Sequence, residues 1–327
     1  MSKPRRNNPT GRKLPKSAGR STAARKRGGA APGRLRPRAG TAAAAKGQAP
    51  QTYTDAARGQ RLQRVLATAG VASRRDCEAL VLQGHVSVNG ELVTALPAWV
   101  DPLRDRIEVD GKPIIGTGKS HRPPQRVYLM LNKPRGVIST TEDPYGRRTV
   151  LSLLPDDVFP PGTRLFPIGR LDADSAGLML LTNDGELANR IAHPRYQIGK
   201  EYHVSVAGRV EQSDLERLRK GMFLVERDDE GNPIGTRKAK MEEVAIAGYE
   251  HDREHGDRTL LHVILREGQN REIRRMFARL SLKVRRLRRV AIGPVQLKGL
   301  AVGEWRPLTP VELRRLRQAV AAADDSA

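Results

Sequence analysis

Nine residues in the middle of the chain, Gly169-Arg170-Leu171-Asp172-Ala173-Asp174-Ser175-Ala176-Gly177, separate the apolar run Phe166-Pro167-Ile168 from Leu178-Met179-Leu180-Leu181. Short apolar runs of this kind read as buried strands, and glycines at both ends of the bend let the chain turn where a side chain would obstruct it. The fold must therefore contain a sheet whose strands meet here, with Asp172 and Arg170 presented between them. An Asp in a bend has an ordinary structural use, because its carboxylate can bond its own backbone. Whether Asp172 does more depends on what the rest of the chain brings to it.

Charge supplies the first answer. The chain of 327 residues carries a formal charge of +23. Such an excess points to a polyanion, since Lys and Arg that neutralise phosphates release condensed counterions. Residues 1–60 hold 15 Lys and Arg against one Asp, yet the remainder is also basic, with 44 against 35. Segment 1–57 is rich in Ala, Gly, Pro, Arg and Ser and poor in large apolar side chains, so it cannot bury enough surface to offset chain entropy. It reads as a disordered basic arm. No secretory h-region and no apolar run of about 18 residues occurs, so a soluble, cytoplasmic protein with no membrane partner is expected. The single Cys77 excludes an intrachain disulfide, and the seven His show no metal-ligand spacing.

Helical periodicity begins after the arm. Leu62, Val65 and Leu66 form one stripe ended by Gly70, and Ser73 caps a second helix whose stripe is Cys77, Leu80 and Val81. His85 to Val88 and Arg106 to Val109 alternate as strands, each followed by a glycine turn, Asn89-Gly90 and Asp110-Gly111. The polar helix face carries Arg61, Arg64, Arg74 and Arg75. With Ala72-Ser73-Arg74-Arg75 and the run Glu78 to Gly90, this unit, residues 58–115, resembles the S4 RNA-binding domain. The resemblance implies that those arginines dock on structured RNA through shape and backbone. Residues 116–125 read as a linker, residues 126–318 as a second domain, and 319–327 as a disordered tail.

In the second domain Val127 to Leu131 is a buried-strand candidate, Lys133-Pro134-Arg135-Gly136 a turn, and Val137-Ile138-Ser139 a returning strand. Leu178 to Thr182 is another strand, and Asn183-Asp184-Gly185 opens a short helix stopped before Pro194. Strict alternation over Lys200 to Val206 puts Tyr202 on the same face as Val204 and Val206, hence largely buried. Leu261 to Leu265 is a further strand, and Glu226 to Pro233 a charged, exposed hairpin turn. Ile273, Met276, Phe277 and Leu280 then form a helical stripe that leaves Arg271, Arg274 and Arg275 off it near the helix start. Cations there oppose the helix dipole, so an anion should compensate. The irregular alternation of strands and helices gives an α+β fold class.

Four ordered motifs now carry a second resemblance: Asn132-Lys133-Pro134-Arg135-Gly136-Val137; Gly169-Arg170-Leu171-Asp172 with Gly177 to Gly185; Lys200-Glu201-Tyr202; and Glu267-Gly268-Gln269-Asn270-Arg271-Glu272-Ile273-Arg274-Arg275-Met276-Phe277. Over about residues 59–310 the chain resembles the RsuA/RluB branch of the pseudouridine synthases, and its last motif looks more like the large-subunit type. The resemblance implies a catalytic domain with a mainly antiparallel mixed sheet flanked by helices. It implies isomerisation of a uridine in ribosomal RNA, in which the N1–C1′ bond breaks, the base turns while held, and C5 rejoins C1′. Asp172 would act at C1′ and Tyr202 would pack on the base and take the final proton. Arg274 or its neighbour Arg275 would pair with Asp172. Arg170 would fill the space left by the turned-out nucleotide, and Ile273 would wall the base. Arg271 and Arg275 join the substrate-binding set, and Lys133 and Arg135 the RNA contacts. No cofactor or metal is implied, and the expected form is a monomer on rRNA.

Two other readings compete. A non-catalytic rRNA-binding or ribosome-assembly factor would need only the arm and the small domain. A glycosidase-like hydrolase would pair Asp172 with Asp174 or Asp184 across the bond and release free uracil.

Overall fold

The computed structural model describes residues 53–115, 125–155, 159, 163–228, 230–252 and 256–324. Its first module comprises β1 (Gln60–Arg61), α1 (Leu62–Thr68), α2 (Arg74–Leu82), β2 (Val86–Val88), β3 (Glu91–Leu92), β4 (Trp99–Val100), β5 (Ile107–Val109) and β6 (Lys112–Ile115). The two helices pack their stripes, Leu62, Val65 and Leu66 with Cys77 and Val81, onto Val86, Val88 and Ile107 of the sheet. Its antiparallel order is β3-β2-β5-β6, the two strands read from the sequence, β2 and β5, each with the partner that follows its glycine turn, while β1 pairs with β4. Ser73 caps α2 as expected: Asp76 N–H donates to its Oγ and the Asp76 carboxylate accepts from Ser73 N–H.

Of the arm expected over 1–57, residues 1–52 lie outside the described residues, and the last five belong to the small module instead. Tyr53 is buried, its hydroxyl donates to Val88 O at 2.9 Å, and Arg58 stacks over its ring. The buried ring with its hydroxyl partner, together with the Arg58 ion pair to Asp105 at 3.0 Å, ties this segment to the module. Of the linker 116–125 only Gln125 is described.

The second module comprises β7 (Tyr128–Lys133), β8 (Phe166–Ile168), β9 (Ala176–Thr182), α3 (Gly185–Ala192), β10 (Lys200–Ala207), α4 (Gln212–Lys220), β11 (Met222–Arg227), β12 (Pro233–Ala239), β13 (Glu243–Asp252), β14 (Gly256–Leu265), α5 (Glu272–Ala278), β15 (Val284–Ile292), β16 (Val295–Gln296), β17 (Trp305–Pro307) and α6 (Pro310–Asp324). Among the described residues the main sheet runs β13-β14-β10-β15-β9-β7-β17, with β16 on β15 and β8 on β9; β11 and β12 form a separate hairpin. Every pairing in it is antiparallel except β15 with β9. The α+β class with a mainly antiparallel mixed sheet holds.

Helices cover both faces. Leu215 and Leu218 of α4 and Ile273, Met276 and Phe277 of α5 share one core with Val204, Val206 and Val263. On the other face Leu187 and Ile191 of α3 and Leu316 and Val320 of α6 pack with Leu178, Leu180 and Ile292. The disordered tail expected over 319–327 is corrected for its first six residues, because α6 continues to Asp324 with Val320 on its buried stripe; residues 325–327 lie outside the described residues.

The parallel joint positions the site. β15 and β9 are in register over only Arg288 with Ala176 and Arg289 with Gly177, and further along β9 its pairing passes to β8 at Leu180 to Thr182. Contact at the joint requires glycine: Gly177 has φ +106°, and a Cβ on it would lie 2.2 Å from the Arg289 carbonyl oxygen. The returning strand expected over Val137-Ile138-Ser139 does not form; only Ile138 makes an isolated bridge, to Thr149. Both edges of β7 are already taken by β9 and β17, and the segment has another task.

Candidate active site

That task is to hold the bend before β9. The Ser139 hydroxyl donates to Leu171 O at 2.6 Å and accepts from Leu171 N–H, and Gly136 N–H donates to Ala173 O at 2.7 Å. Lys133 completes the grip. Expected as an RNA contact, it is instead wholly enclosed, and its Nζ donates to the carbonyl oxygens of Pro134, Asp172 and Ser175 at 3.1, 3.1 and 2.8 Å. A β-strand alternation read alone cannot say that the last side chain of β7 turns inward to satisfy three carbonyls of a distant bend. Burial lowers the Lys133 ammonium to about 8 against the opposing pull of Asp172 and Asp174.

The anions that the start of α5 demanded are Asp172 and Asp174. Asp172 Oδ2 lies 3.3 Å from Arg271 Nη1 and 3.7 Å from Arg274 Nε. Asp174 receives Arg271 at 3.3 Å and Arg274 at 3.2 Å. Burial works to raise the Asp174 carboxyl, but the Arg271 hydrogen bond with both guanidinium charges brings it below the usual range. Arg274 also donates to Asp174 O and Val284 O, which fixes its plane against the loop. Of Arg274 and Arg275, Arg274 is the one within ion-pair distance of Asp172, while Arg275 turns the other way and donates to Asn270 O and Val225 O. Asp184 takes no part, since it caps α3 and accepts from Tyr128.

Asp172 and Arg271 face a cavity of about 420 Å³ bounded by the bend, β10 and the start of α5, of ordinary small-ligand size. Asp172, Arg170 and Arg271 line it together with Tyr202, Ile273, Leu265 and Leu287. Tyr202 is 8 % exposed, as the alternation of β10 demands, and no hydrogen bond reaches its hydroxyl among the described residues. Arg170 is exposed at the rim and Arg135 is exposed outside it, while Arg61, Arg64, Arg74 and Arg75 are all exposed on the small module.

Three further charged residues line the cavity that the sequence reading passed over. Lys200 shares the Tyr202 face of β10, Glu272 directly precedes Ile273, and Arg289 is buried with its Nε on Leu178 O at 2.8 Å. Alternation by two along β10 already carried the signal for Lys200. Burial, with Arg289 adding to it, lowers Lys200 to about 8, and burial raises Glu272 to about 6. The arrangement offers a fixed carboxylate at one wall, an aromatic and aliphatic slot beside it, and more cations than anions around both. That suits a flat, polar group attached to a phosphate backbone.

Comparison with known proteins agrees. Residues 127–279 match the profile of the family described as RNA pseudouridylate synthase, and residues 60–96 that of the S4 domain. An uncharacterized RNA pseudouridine synthase of Aquifex aeolicus is 42 % identical over 261 residues, 80 % of this chain and 94 % of its own length. The ribosomal large subunit pseudouridine synthase B of Bacillus subtilis is 40 % identical over 79 % of this chain and 96 % of its own. The protein of that name in Pseudomonas aeruginosa is 39 % identical over 80 % of this chain and 63 % of its own.

Proposed function

This chain belongs to the RNA pseudouridine synthase family, and we propose that it isomerises a uridine of large-subunit ribosomal RNA with Asp172 acting at C1′ of a turned-out nucleotide. The observation that carries the assignment of Asp172 is its place at one wall of an apolar slot, held by Arg271 and Arg274. A carboxylate so fixed needs no reorganisation to meet the electron-poor carbon. The relatives named for the large subunit supply the substrate class.

The roles divide by geometry. Unstacking the nucleotide costs a few kcal/mol, which phosphate contacts by exposed Arg170 and Arg135 and by the arginines of the small module would offset. Tyr202 and Ile273 hold the base, with the phenol placed to take the final proton. Arg274 orients Asp172, and Arg271 bridges it to Asp174. Lys133 fixes the loop from behind rather than touching RNA. The protein acts as a cytoplasmic monomer on this reading; among the described residues no helix is long and apolar enough to cross a membrane.

The test is incubation with ribosomal RNA tritiated at uridine C5. Wild type releases tritium and retains the base, whereas Asp172→Asn binds the RNA with similar affinity and releases none. A non-catalytic assembly factor would show no difference between the two, and a hydrolase would yield free uracil.

A further inference from the structure

Besides Asp172 and Arg271, the cavity is lined by two buried ionisable groups, Lys200 and Glu272, that have no part in the chemistry assigned so far. Lys200 and Tyr202 stand two residues apart on β10, on one face of the sheet. Lys200 is 8 % exposed and its Nζ donates to a single carbonyl, Ile198 O at 3.1 Å, which leaves two of its three N–H groups uncommitted. Glu272 is 3 % exposed. Its Oε2 accepts from Gln269 N–H at 2.9 Å, but Oε1 is buried with no hydrogen-bond partner among the described residues. Both side chains line the same cavity as Tyr202 and Ile273.

A buried ammonium with free donors and a buried carboxyl with a free oxygen are costly unless a ligand completes them. That ligand must present an acceptor and a donor side by side on a flat edge. Uracil does so, with N3–H between two carbonyl oxygens. Cytosine presents the pair in the reverse order: with the carboxylate set against N3 its bare N3 would repel it, and on the neighbouring amino edge its N–H2 would meet the ammonium.

We propose that Lys200 and Glu272 read the edge of the turned-out uracil, Glu272 Oε1 accepting from N3–H while Lys200 Nζ donates to an adjacent carbonyl oxygen. The assignment rests on the reading above, in which the base enters this cavity. It gives Lys200 a second effect. When N1–C1′ breaks, the bonding pair stays on the base and its charge spreads to O2 and O4; C5 then bonds C1′ and loses its proton, and N1 gains one. Lys200 keeps its own proton throughout and faces charge that grows during bond cleavage, the condition under which a fixed cation speeds a reaction. The Glu272 carboxylate and the Arg289 guanidinium flank it.

Wild type, Lys200→Met and Glu272→Gln are compared in single-turnover reactions on ribosomal RNA carrying uridine or 3-methyluridine at the mapped position, with RNA affinity and melting curves measured alongside. Lys200→Met is expected to react about 100-fold more slowly on uridine at unchanged affinity, and Lys200→Gln, still a donor, to recover part of that loss. In Glu272→Gln the amide oxygen stays on Gln269 N–H and an N–H2 group turns toward N3–H, so the preference for uridine over 3-methyluridine shrinks by about tenfold or more. An unchanged preference in Glu272→Gln, or full speed in a folded Lys200→Met, overturns the proposal. Failure of the wild type to release tritium from any uridine strikes the isomerase reading itself and takes this one with it.

Discussion

Lys200 is a residue that the fold would do better without. Its ammonium sits near pKa 8, lowered by burial from the usual 10.5. Between pH 8 and 10.5 the unfolded chain holds a proton there that the folded chain has shed, so this group makes stability rise with pH across that window. Below pH 8 both states are protonated and the full cost of burying the charge is borne. Lys200→Met removes that cost. At pH 7 it should stabilise the fold on the order of 2 kcal/mol, part of the gain being returned because Glu272 loses a neighbouring cation. The gain should fade as pH rises from 8 toward 10.5, as wild type sheds its charge. Denaturant titrations at pH 7 and 10 measure this, and a destabilised Lys200→Met at pH 7 contradicts it. Higher stability coupled to slower reaction is the expected mark of a buried charge retained for function.

Among the elements, α5 shows how two adjacent arginines acquire different work. Successive helix positions point about 100° apart, so with Ile273 and Met276 in the core, Arg274 falls toward the bend and Arg275 toward β11. Arg274→Ala should lower the single-turnover rate about 100-fold, since Asp172 loses its innermost orienting partner. Arg275→Ala, which cuts the tie to β11, should cost much less at saturating RNA; equal losses for the two would refute the division of labour. The stripe of α5, the Ser73 cap and the strand face of Tyr202 were all legible in the sequence because each is a local periodicity or a cap with its partner three residues away. The brace of residues 133–139 on the bend was not. Its bonds, from Lys133, Gly136 and Ser139, run to carbonyls and amides about 30 to 40 positions downstream, and a short apolar run carries no mark that separates a brace from a strand. The identity of the arginine beside Asp172 was open for the same reason, since spacing alone does not orient α5 about its axis. β13 was readable in principle, as Val244 and Ile246 alternate in it, yet one glycine and scattered charges blur the pattern.

Across the whole molecule the positive charge falls into two populations with different physical effects. Arg61, Arg64, Arg74 and Arg75 are exposed on the small module, whereas Lys133, Lys200 and Arg289 are enclosed. Only cations that displace condensed counterions contribute to the salt dependence of RNA binding; of the enclosed ones, Lys133 is committed to carbonyls of the bend and Arg289 to Leu178 O, while Lys200 is the one proposed to meet the base. The paired substitution of Arg74 and Arg75 by Ala should weaken binding at every salt concentration and flatten the slope of log K against log salt by roughly 1.4 to 1.8, from about 0.7 to 0.9 per lost phosphate contact. Lys200→Met should behave in the opposite way, with the slope unchanged and the single-turnover rate reduced. Filter binding from about 50 to 200 mM salt, paired with rates at saturating RNA, separates the two. A slope that flattens in Lys200→Met would mean that its ammonium meets phosphate rather than base, and a slope that stays fixed in the double arginine variant would mean that this face of the small module does not carry the RNA.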